Sequence, residues 1–217
     1  ASRNSQYVSL IAATNQPDSI NGVSAAVASR VAESVQDDPA VPLHRMTLTG
    51  VLPVVEQDRW TLIERNQLVE NGITTLTQNN GVQTEGMVTM YLKNSAGAED
   101  TALRYQNTLF ILFRLQYTFV QRILSNYGRA KLADNSDRMS AGQVVMTPET
   151  GRAEAIAWFI EQEAAGQVEN LDQFKDELVV SRPSNNPNRM DWLLPPDLVN
   201  QFIIGSAVIQ FRLQSTN

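Results

Sequence analysis

The pattern of apolar and polar residues predicts a strand followed by a helix in the first fifth of the chain. Residues 7–13 are short, apolar and bounded by polar residues, which is typical of a buried strand. Apolar residues then recur at helical spacing over residues 23–35, after a capping residue at Ser19 or Asn21. Pro39 ends this helix. A strand followed by an alanine-rich helix is the ordinary unit of an α/β layer, so the chain is expected to open within an α/β domain.

The next part predicts a second helix and a β-hairpin. A helix is expected over residues 56–70 because acidic residues stand in its first turn and Gly72 follows it as a left-handed stop. Strands are expected over residues 73–77 and 86–92, on either side of an asparagine-glycine turn at residues 79–81.

The dominant predicted element is a helix over residues 100–127. Apolar side chains recur along this helix at heptad spacing, which predicts a packed seam. Its middle, residues 109–113, is apolar all round, so we expect it to be covered on two sides. The seam consists of Leu103, Phe110, Phe113, Tyr117, Val120, Leu124 and Tyr127.

Shorter elements are predicted after the long helix. Residues 129–143 are polar and are expected to form a loop. The order threonine, proline, glutamate at residues 147–149 predicts the start of a further helix, which closes at Gly166. A short helix over residues 171–178 is expected to lead into a strand over residues 178–181.

The last apolar stretch, which follows two prolines at residues 195–196, is predicted to be a terminal strand. Such a strand has a row of backbone donors and acceptors that must be paired. Either it completes a sheet of its own chain, or it is lent to a neighbouring molecule by strand addition. The residues expected to make this contact are Ala207, Val208, Ile209, Gln210, Phe211, Arg212 and Leu213.

Composition narrows the class of protein. The chain has 217 residues, of which 42% are hydrophobic and 18% charged, so a sizeable core is possible. Its net charge of -6 argues against a protein that grips a phosphate backbone, and we expect no direct contact with nucleic acid. The N-terminus does not resemble a signal peptide and the longest apolar run is far too short to span a bilayer, so no membrane insertion is expected.

The charged residues are better suited to contacts between subunits than to catalysis. Lysine occurs only at residues 93, 131 and 175, and the other basic residues are arginines, which are favoured in ion pairs at interfaces. Four residues on helical faces that are expected to be exposed are candidates for charge pairs between subunits. They are Arg122, Arg129, Glu161 and Glu163.

The sequence contains no constellation that is typical of an active site. His44 is the only histidine, and no serine or cysteine near it has the setting of a nucleophile. Phosphate-binding glycine motifs, a nucleophile elbow and metal-ligand spacings are absent from the sequence, which also has no cysteine. We therefore predict no catalytic, cofactor-binding or metal-binding residues, and no cofactor.

Three groups of consecutive residues carry a resemblance to a known family. The first group is residues 50–53 (GVLP), Arg59 and residues 64–73 (ERNQLVENGI). The second is residues 103–127 followed by 129–134 (RAKLAD). The third is residues 152–155 (RAEA), 168–174 (VENLDQF), 187–191 (PNRMD) and 194–202 (LPPDLVNQF).

In this order and spacing, these segments resemble the C-terminal half of the tail sheath protein of Mu-like contractile-tailed bacteriophages. The resemblance covers nearly all of the chain. It implies a virion structural protein, not an enzyme, whose copies stack as rings or helical strands around a tail tube. Such a sheath is assembled in the host cytoplasm and contracts on infection to drive the tube through the host envelope for genome ejection. The implied partners are further copies of the chain, the tail tube protein, the baseplate and the tail terminator.

The resemblance also implies a mixed α/β and α+β fold. Residues 1–55 would be the end of a subtilisin-like α/β sheath domain without catalytic residues. Residues 56–202 would form an α+β C-terminal sheath domain with a long central helix. Residues 203–217 would be a terminal strand or arm, and in this family such arms add strands to the sheets of neighbouring subunits.

Two other classes of function stay open at this point. The first is a sheath or baseplate component of a contractile bacteriocin or secretion system. Such particles are built from repeating subunits in the same way. The second is a hydrolase of α/β type built around His44, which the lack of a nucleophile setting argues against.

Overall fold

The computed structural model describes residues 4–135 and 142–210, whose helices and strands pack around two hydrophobic cores that both involve the long central helix. The helices are α1 (Ile20–Asp37), α2 (Leu62–Glu70), α3 (Gln106–Tyr127), α4 (Pro148–Ala164) and α5 (Leu171–Glu177). The strands are β1 (Leu10–Ile11), β2 (Ile73–Thr77), β3 (Gln83–Glu85), β4 (Lys131–Leu132), β5 (Val145–Met146), β6 (Val168–Glu169), β7 (Val179–Ser181), β8 (Asp191–Leu193) and β9 (Asp197–Leu198).

The first core lies beside a three-stranded sheet of order β1-β2-β3. Strand β1 runs parallel to β2, and β2 runs antiparallel to β3. Helix α1 begins where the Ser19 hydroxyl accepts a hydrogen bond from the Gly22 N–H, as the sequence predicted. The buried residues of this core are Val27, Leu43, Met46, Leu48, Val82 and Met87.

The second core is formed by one face of α3 packed on α4, α5 and β6. Two-stranded sheets β6-β9 and β7-β8 lie at its edge, and Trp192 on β8 packs against it. The predicted short helix and the strand after it are confirmed as α5 and β7. The buried residues are Ile111, Leu115, Phe119, Ala155, Trp158, Phe159, Val168, Phe174 and Leu178.

The predicted helix over residues 56–70 is wrong in its first half. Residues Glu56–Asp58 form a 3₁₀ turn, Arg59 is extended, and α2 begins only at Leu62. The break is explained by a capping box, in which Thr61 and Glu64 satisfy each other's backbone N–H groups.

The hairpin is confirmed, but its second strand begins earlier than predicted. Strand β3 pairs with β2 in the register Thr77↔Gln83, and Gly86, at a φ of +55°, ends the pairing. The predicted strand over residues 86–92 is reduced to isolated bridges. The predicted stop at Gly72 is confirmed, with a φ of +75°, and an added Cβ there would lie 2.8 Å from the Thr89 carbonyl oxygen.

Helix α3 starts six residues later than predicted and buries a different stripe. The Asp100 carboxylate accepts hydrogen bonds from the Tyr91 hydroxyl and the Ala102 N–H, which holds the preceding residues in a turn. Most of the predicted seam faces solvent, so its packing within the chain is a wrong prediction. The buried residues of α3 are Asn107, Leu109, Ile111, Leu115 and Phe119.

Two further predictions need correction. The predicted buried strand over residues 7–13 shrinks to β1, which Tyr7 and Val8 do not join, and Tyr7, Val8 and Leu10 are all exposed. The predicted loop over residues 129–143 contains β4, which pairs in parallel with β5. Part of that loop, residues 136–141, lies outside the described residues.

Candidate intersubunit surfaces

The apolar segment after β9 lies beside Tyr105 and the start of α3 as far as Ile203, and its residues 204–210 are exposed. We call its described part, residues 199–210, the C-terminal tail. Strand β9 pairs with β6, and the Val199 N–H donates to the Gln167 carbonyl at 3.2 Å. Leu198 packs against the second core, so the place where the tail departs is fixed.

The tail itself is not a strand of this chain. Residues 199–210 have no strand assignment, and their remaining backbone groups make no hydrogen bond to the described residues. Up to Gln210 the tail therefore completes no sheet of this chain, and the alternative, strand addition to a neighbouring molecule, stays a prediction. The predicted contact residues Phe211, Arg212 and Leu213 lie outside the described residues.

The tail is a row of apolar side chains in solvent. Phe202, Ile204, Val208 and Ile209 are between 80% and 91% exposed. The neighbouring predicted contact residues, Ala207 and Gln210, are exposed too. Apolar side chains in such a row, together with unpaired backbone groups, match what strand addition to a sheet edge requires.

Arg122 and Glu161, two of the predicted intersubunit charges, pair with each other inside the chain. The Arg122 Nη1 atom lies 2.7 Å from Glu161 Oε1, and its Nε lies 2.7 Å from Glu154 Oε2. The Tyr127 hydroxyl donates to Glu154 Oε1 at 3.0 Å. These bonds connect α3 to α4. A role of Arg122 or Glu161 in subunit contacts stays a prediction, and it would require these internal ion pairs to be shared or broken.

The environment of this cluster favours charged arginine and a protonated tyrosine. Burial alone would lower the pKa of the Arg122 guanidinium, but its hydrogen bonds to Glu161 and Glu154 outweigh burial and raise that pKa. Burial, and then the hydrogen bond to Glu154, raise the pKa of the Tyr127 hydroxyl. Arg122 therefore stays charged and Tyr127 stays protonated across neutral pH.

The two remaining predicted charges differ from this pair. Arg129 is exposed just after α3, and Glu163 is half-buried near the end of α4. Neither side chain forms an ion pair with a described residue. Both are therefore available for a contact outside the chain, which stays a prediction.

We expect Glu154→Ala to destabilise the chain more than Glu161→Ala. Glu154 is largely buried and binds both Arg122 and Tyr127, so its loss should lower the free energy of unfolding by about 1–2 kcal/mol. Glu161 is mostly exposed, and its loss should lower it by less than about 0.5 kcal/mol. Urea unfolding of both variants measures the difference, and equal effects would contradict the internal role of Glu154.

The predicted seam of α3 is a second apolar surface of the described chain. Phe113, Tyr117, Val120 and Leu124 are between 44% and 64% exposed. They follow one another at the three- and four-residue spacing of a single helical face. The heptad pattern is present in the sequence, but the described residues do not cover the face that it marks.

The surroundings of His44 offer no catalytic geometry. Its Nδ1 accepts a hydrogen bond from the Gly86 N–H at 3.4 Å. Burial, and next the charge of Arg45, lower the pKa of the imidazole, so it is neutral at pH 7. No side-chain hydroxyl or carboxylate of the described residues is hydrogen-bonded to it.

The described residues contain neither a cluster of metal ligands nor a helix able to cross a membrane. No group of three or more histidine, cysteine, aspartate or glutamate side chains is arranged to hold a metal ion in residues 4–135 and 142–210. None of the helices in the same part of the chain has the length and apolar character needed to cross a membrane.

Comparison with known proteins agrees with a structural subunit. Residues 5–90 match the model of the phage tail sheath protein central domain, and residues 98–212 match that of the phage tail sheath C-terminal domain. The chain is 40% identical over 213 residues to the Mu-like prophage FluMu tail sheath protein of Haemophilus influenzae. That alignment covers 97% of this chain and 44% of the relative, so the chain spans less than half of the relative's length.

Solved structures show the same fold at low sequence identity. A chain of the anti-feeding prophage baseplate matches with a TM-score of 0.58 at 12% identity, covering 87% of this chain and 49% of that one. The sheath tail protein of Listeria innocua matches with a TM-score of 0.55 at 15% identity, covering 75% and 36%. Because one family model alone spans residues 98–212, more than half of the sequence, the chain belongs to the phage tail sheath protein family.

Proposed function

We propose that the chain is part of a subunit of a contractile phage tail sheath, which polymerises around the tail tube and contracts to drive the tube through the host envelope. The proposed partners are further copies of the subunit, the tail tube protein, the baseplate and the tail terminator. The role is structural, and the proposed location is the virion tail after assembly in the host cytoplasm. Family membership and the 40% identity to a Mu-like sheath protein support this role.

The observation that carries the proposal is the C-terminal tail. Its apolar side chains are exposed and its backbone beyond Val199 is unpaired among the described residues. A free subunit gains nothing from such a segment, because exposed apolar surface and unpaired backbone are both unfavourable in a strand-forming sequence. A subunit that lends the tail to the sheet of a neighbour gains main-chain hydrogen bonds and buries these side chains.

Strand addition would also explain how a sheath survives contraction. Main-chain hydrogen bonds to a borrowed strand can persist while the bodies of the subunits rotate as rigid units. Charged faces then change partners, and contraction releases free energy if the second set of contacts is better matched than the first. Arg129 and Glu163 are the predicted charges with no ion pair among the described residues, so they are the first to test as switching contacts.

The division of the chain into residues 1–55, 56–202 and 203–217 remains part of the proposal. Strand β2 of the proposed second part pairs with β1 of the first, so the two parts would share one sheet. The two family models adjoin between residues 90 and 98.

A sheath or baseplate role in a related contractile particle is the second candidate. It is favoured by the fold similarity to a chain of the anti-feeding prophage baseplate. A baseplate component would not form long tubes by itself, whereas a sheath subunit does.

The test is negative-stain electron microscopy of the full-length gene product at high concentration, beside a version truncated after Gln201. We expect hollow striated tubes from the full product and none from the truncated one. A matched variant, Val208→Pro, removes one backbone N–H and should weaken tube formation, whereas Val208→Thr keeps that N–H and the side-chain shape and should not. Tubes that persist without the tail would remove strand addition from the proposal, and compact particles under all conditions would contradict a sheath subunit.

A further inference from the structure

The loop that joins β2 to β3 contains an asparagine followed by a glycine. Asn80 has a φ of +56° and Gly81 a φ of +95°, so both adopt the left-handed conformation that these two residue types tolerate best. Both residues are exposed. They lie outside the β2–β3 pairing, which ends at the pair Thr77↔Gln83, so a chemical change in the loop need not disturb the sheet.

An asparagine that precedes glycine can lose its side-chain amide without an enzyme. The backbone nitrogen of the glycine attacks the asparagine Cγ, and a C–N bond forms. The side-chain nitrogen leaves as ammonia, carrying the proton that the backbone nitrogen gave up through solvent. Water then opens the five-membered cyclic imide at either carbonyl, which gives aspartate or isoaspartate. Glycine favours the attack because it has no side chain in the way and its backbone moves freely.

The sequence contains three such pairs, and the fold places them in three different settings. They are Asn21-Gly22, Asn71-Gly72 and Asn80-Gly81. The attack requires a glycine N–H that can lose its proton and an asparagine Cγ that can approach the nitrogen. A hydrogen bond from either amide within the chain must be broken before the reaction, which slows it. The three pairs can therefore be ranked by their hydrogen bonds.

At Asn21 the start of α1 opposes the attack. The Gly22 N–H donates to the Ser19 hydroxyl at 3.1 Å, and Asn21 lies in the first turn of the helix. Side chains of a helix tilt towards its N-terminus, so the Asn21 Cγ is turned away from the nitrogen of the next residue. This pair is protected as long as the helix end is intact.

At Asn71 both reacting groups are already bonded. The Gly72 N–H donates to the Val69 carbonyl at 3.1 Å, and Asn71 Nδ2 donates to the Gln67 carbonyl at 2.7 Å. Gly72 is also buried, and a Cβ built on it would lie 2.8 Å from the Thr89 carbonyl oxygen. Its backbone therefore has little room to turn towards the asparagine side chain.

Neither restraint is present at Asn80. Among the described residues, no group accepts a hydrogen bond from the Gly81 N–H, and none is bonded to the Asn80 side-chain amide. A Cβ built on Gly81 would meet only the Thr47 Cγ2 atom, at 3.7 Å. The nucleophile and the leaving group are thus both exposed and unbonded in the folded chain.

We propose that Asn80 is a site of spontaneous deamidation in the folded chain, and that the fold protects Asn21 and Asn71. The reaction replaces a neutral amide with a carboxylate, so it adds one negative charge to a chain whose net charge is -6. Old and freshly made copies would therefore differ in charge at this loop while sharing one fold. The proposal uses no contact with a partner, so it stands apart from the proposed function.

The experiment is peptide mapping by mass spectrometry after incubation of the folded chain at neutral and at mildly alkaline pH. We expect the amide of Asn80 to be lost at least about tenfold faster than those of Asn21 and Asn71, because the other two must first break a hydrogen bond and move their backbone. The loss should be faster at alkaline pH, since the Gly81 nitrogen must give up a proton. Isoaspartate should form beside aspartate, as opening of a cyclic imide requires.

The same chain unfolded in guanidinium chloride is the matched control. All three asparagines should then react at similar rates, because each is followed by glycine and none is held by the fold. Equal rates at the three pairs in the folded chain would overturn the proposal. So would a ranking that persists after unfolding, because the fold would not be its cause. Aspartate without isoaspartate would overturn the cyclic imide.

Two variants assign the charge change to its residue. Asn80→Gln lengthens the side chain by one methylene and disfavours the five-membered ring, so the acidic form seen by ion-exchange chromatography should disappear. Asn21→Gln, at an exposed position of α1, should leave that form unchanged. An acidic form that persists in Asn80→Gln would overturn the assignment. The parent chain carries its own two reference pairs, so the test does not depend on either variant.

Discussion

Replacing Asn107 with alanine should lower the free energy of unfolding by about 3–5 kcal/mol, because three backbone groups, two of them in buried hydrogen bonds, lose their partner at once. The Asn107 Nδ2 atom donates to the carbonyl oxygens of Pro39 and Val41, at 2.8 and 2.7 Å. Its Oδ1 accepts from the Leu43 N–H at 3.3 Å. Alanine makes none of these bonds, and water does not replace them at the buried Pro39 carbonyl and Leu43 N–H.

Urea unfolding followed by tryptophan fluorescence measures this effect, and the m-value shows whether the unfolding stays two-state. Asn126→Ala, at an exposed position near the end of α3, is the matched control and should change stability by less than about 0.5 kcal/mol. Asn107→Asp retains the acceptor for Leu43 but loses both donors, so it should be no more stable than the alanine variant. A loss below about 1 kcal/mol for Asn107→Ala would mean that the segment around Val41 relaxes without it.

The second large effect is expected at Trp158, where alanine should lower the free energy of unfolding by about 3–5 kcal/mol. This side chain is 2% exposed and lies at the centre of the second core. Its ring meets Phe119 edge-on at a centroid distance of 5.3 Å and lies 6.4 Å from Phe174. The cavity left by alanine would remove aromatic contacts on two sides.

Two variants divide this effect into its parts. Trp158→Phe keeps an aromatic ring but loses the hydrogen bond from Nε1 to Thr118 Oγ1, which is 3.0 Å long, and should cost about 1–2 kcal/mol. Ile160→Ala, two residues further along α4 and 46% exposed, should cost less than about 1 kcal/mol. Thermal or urea unfolding gives both values. If Ile160→Ala destabilised the chain as much as Trp158→Ala, α4 would be buried on the other face.

Helix and turn ends were predictable where a short local signal fixes them. The serine before α1, the threonine and proline that open α4, and the glycine after α2 all act through neighbouring backbone groups, which the sequence shows directly. The wrong start of α2 had such a signal too. Thr61 and Glu64 stand three residues apart in the sequence, as a capping box requires.

The buried face of α3 could not be chosen from the sequence alone. Two apolar stripes run along this helix, one at heptad spacing through Tyr117 and one at four-residue spacing through Ile111, Leu115 and Phe119. Periodicity identifies both stripes equally well. Only the packing of α4 decides that the second stripe is the core, and that packing depends on residues far away in the sequence.

For the candidate surfaces too, local features could be predicted from the sequence and contacts between distant residues could not. The sequence located the apolar tail, because a run of apolar residues after two prolines is a local feature. It did not indicate that Arg122 meets Glu154, since those residues lie 32 positions apart and are joined only by the folding of α3 against α4. Likewise, nothing local indicated that the segment around Arg59 would meet the end of β2.

Helix α3 contributes to both cores and therefore connects them mechanically. Its start packs beside the first core through Phe110, and the following turns fill the second. Over its 22 residues the helix is a rod of about 33 Å, and bending it would break backbone hydrogen bonds and unpack both cores together. A displacement of one core is therefore passed to the other through α3, whereas residues 204–210 of the tail are exposed and pack against neither core.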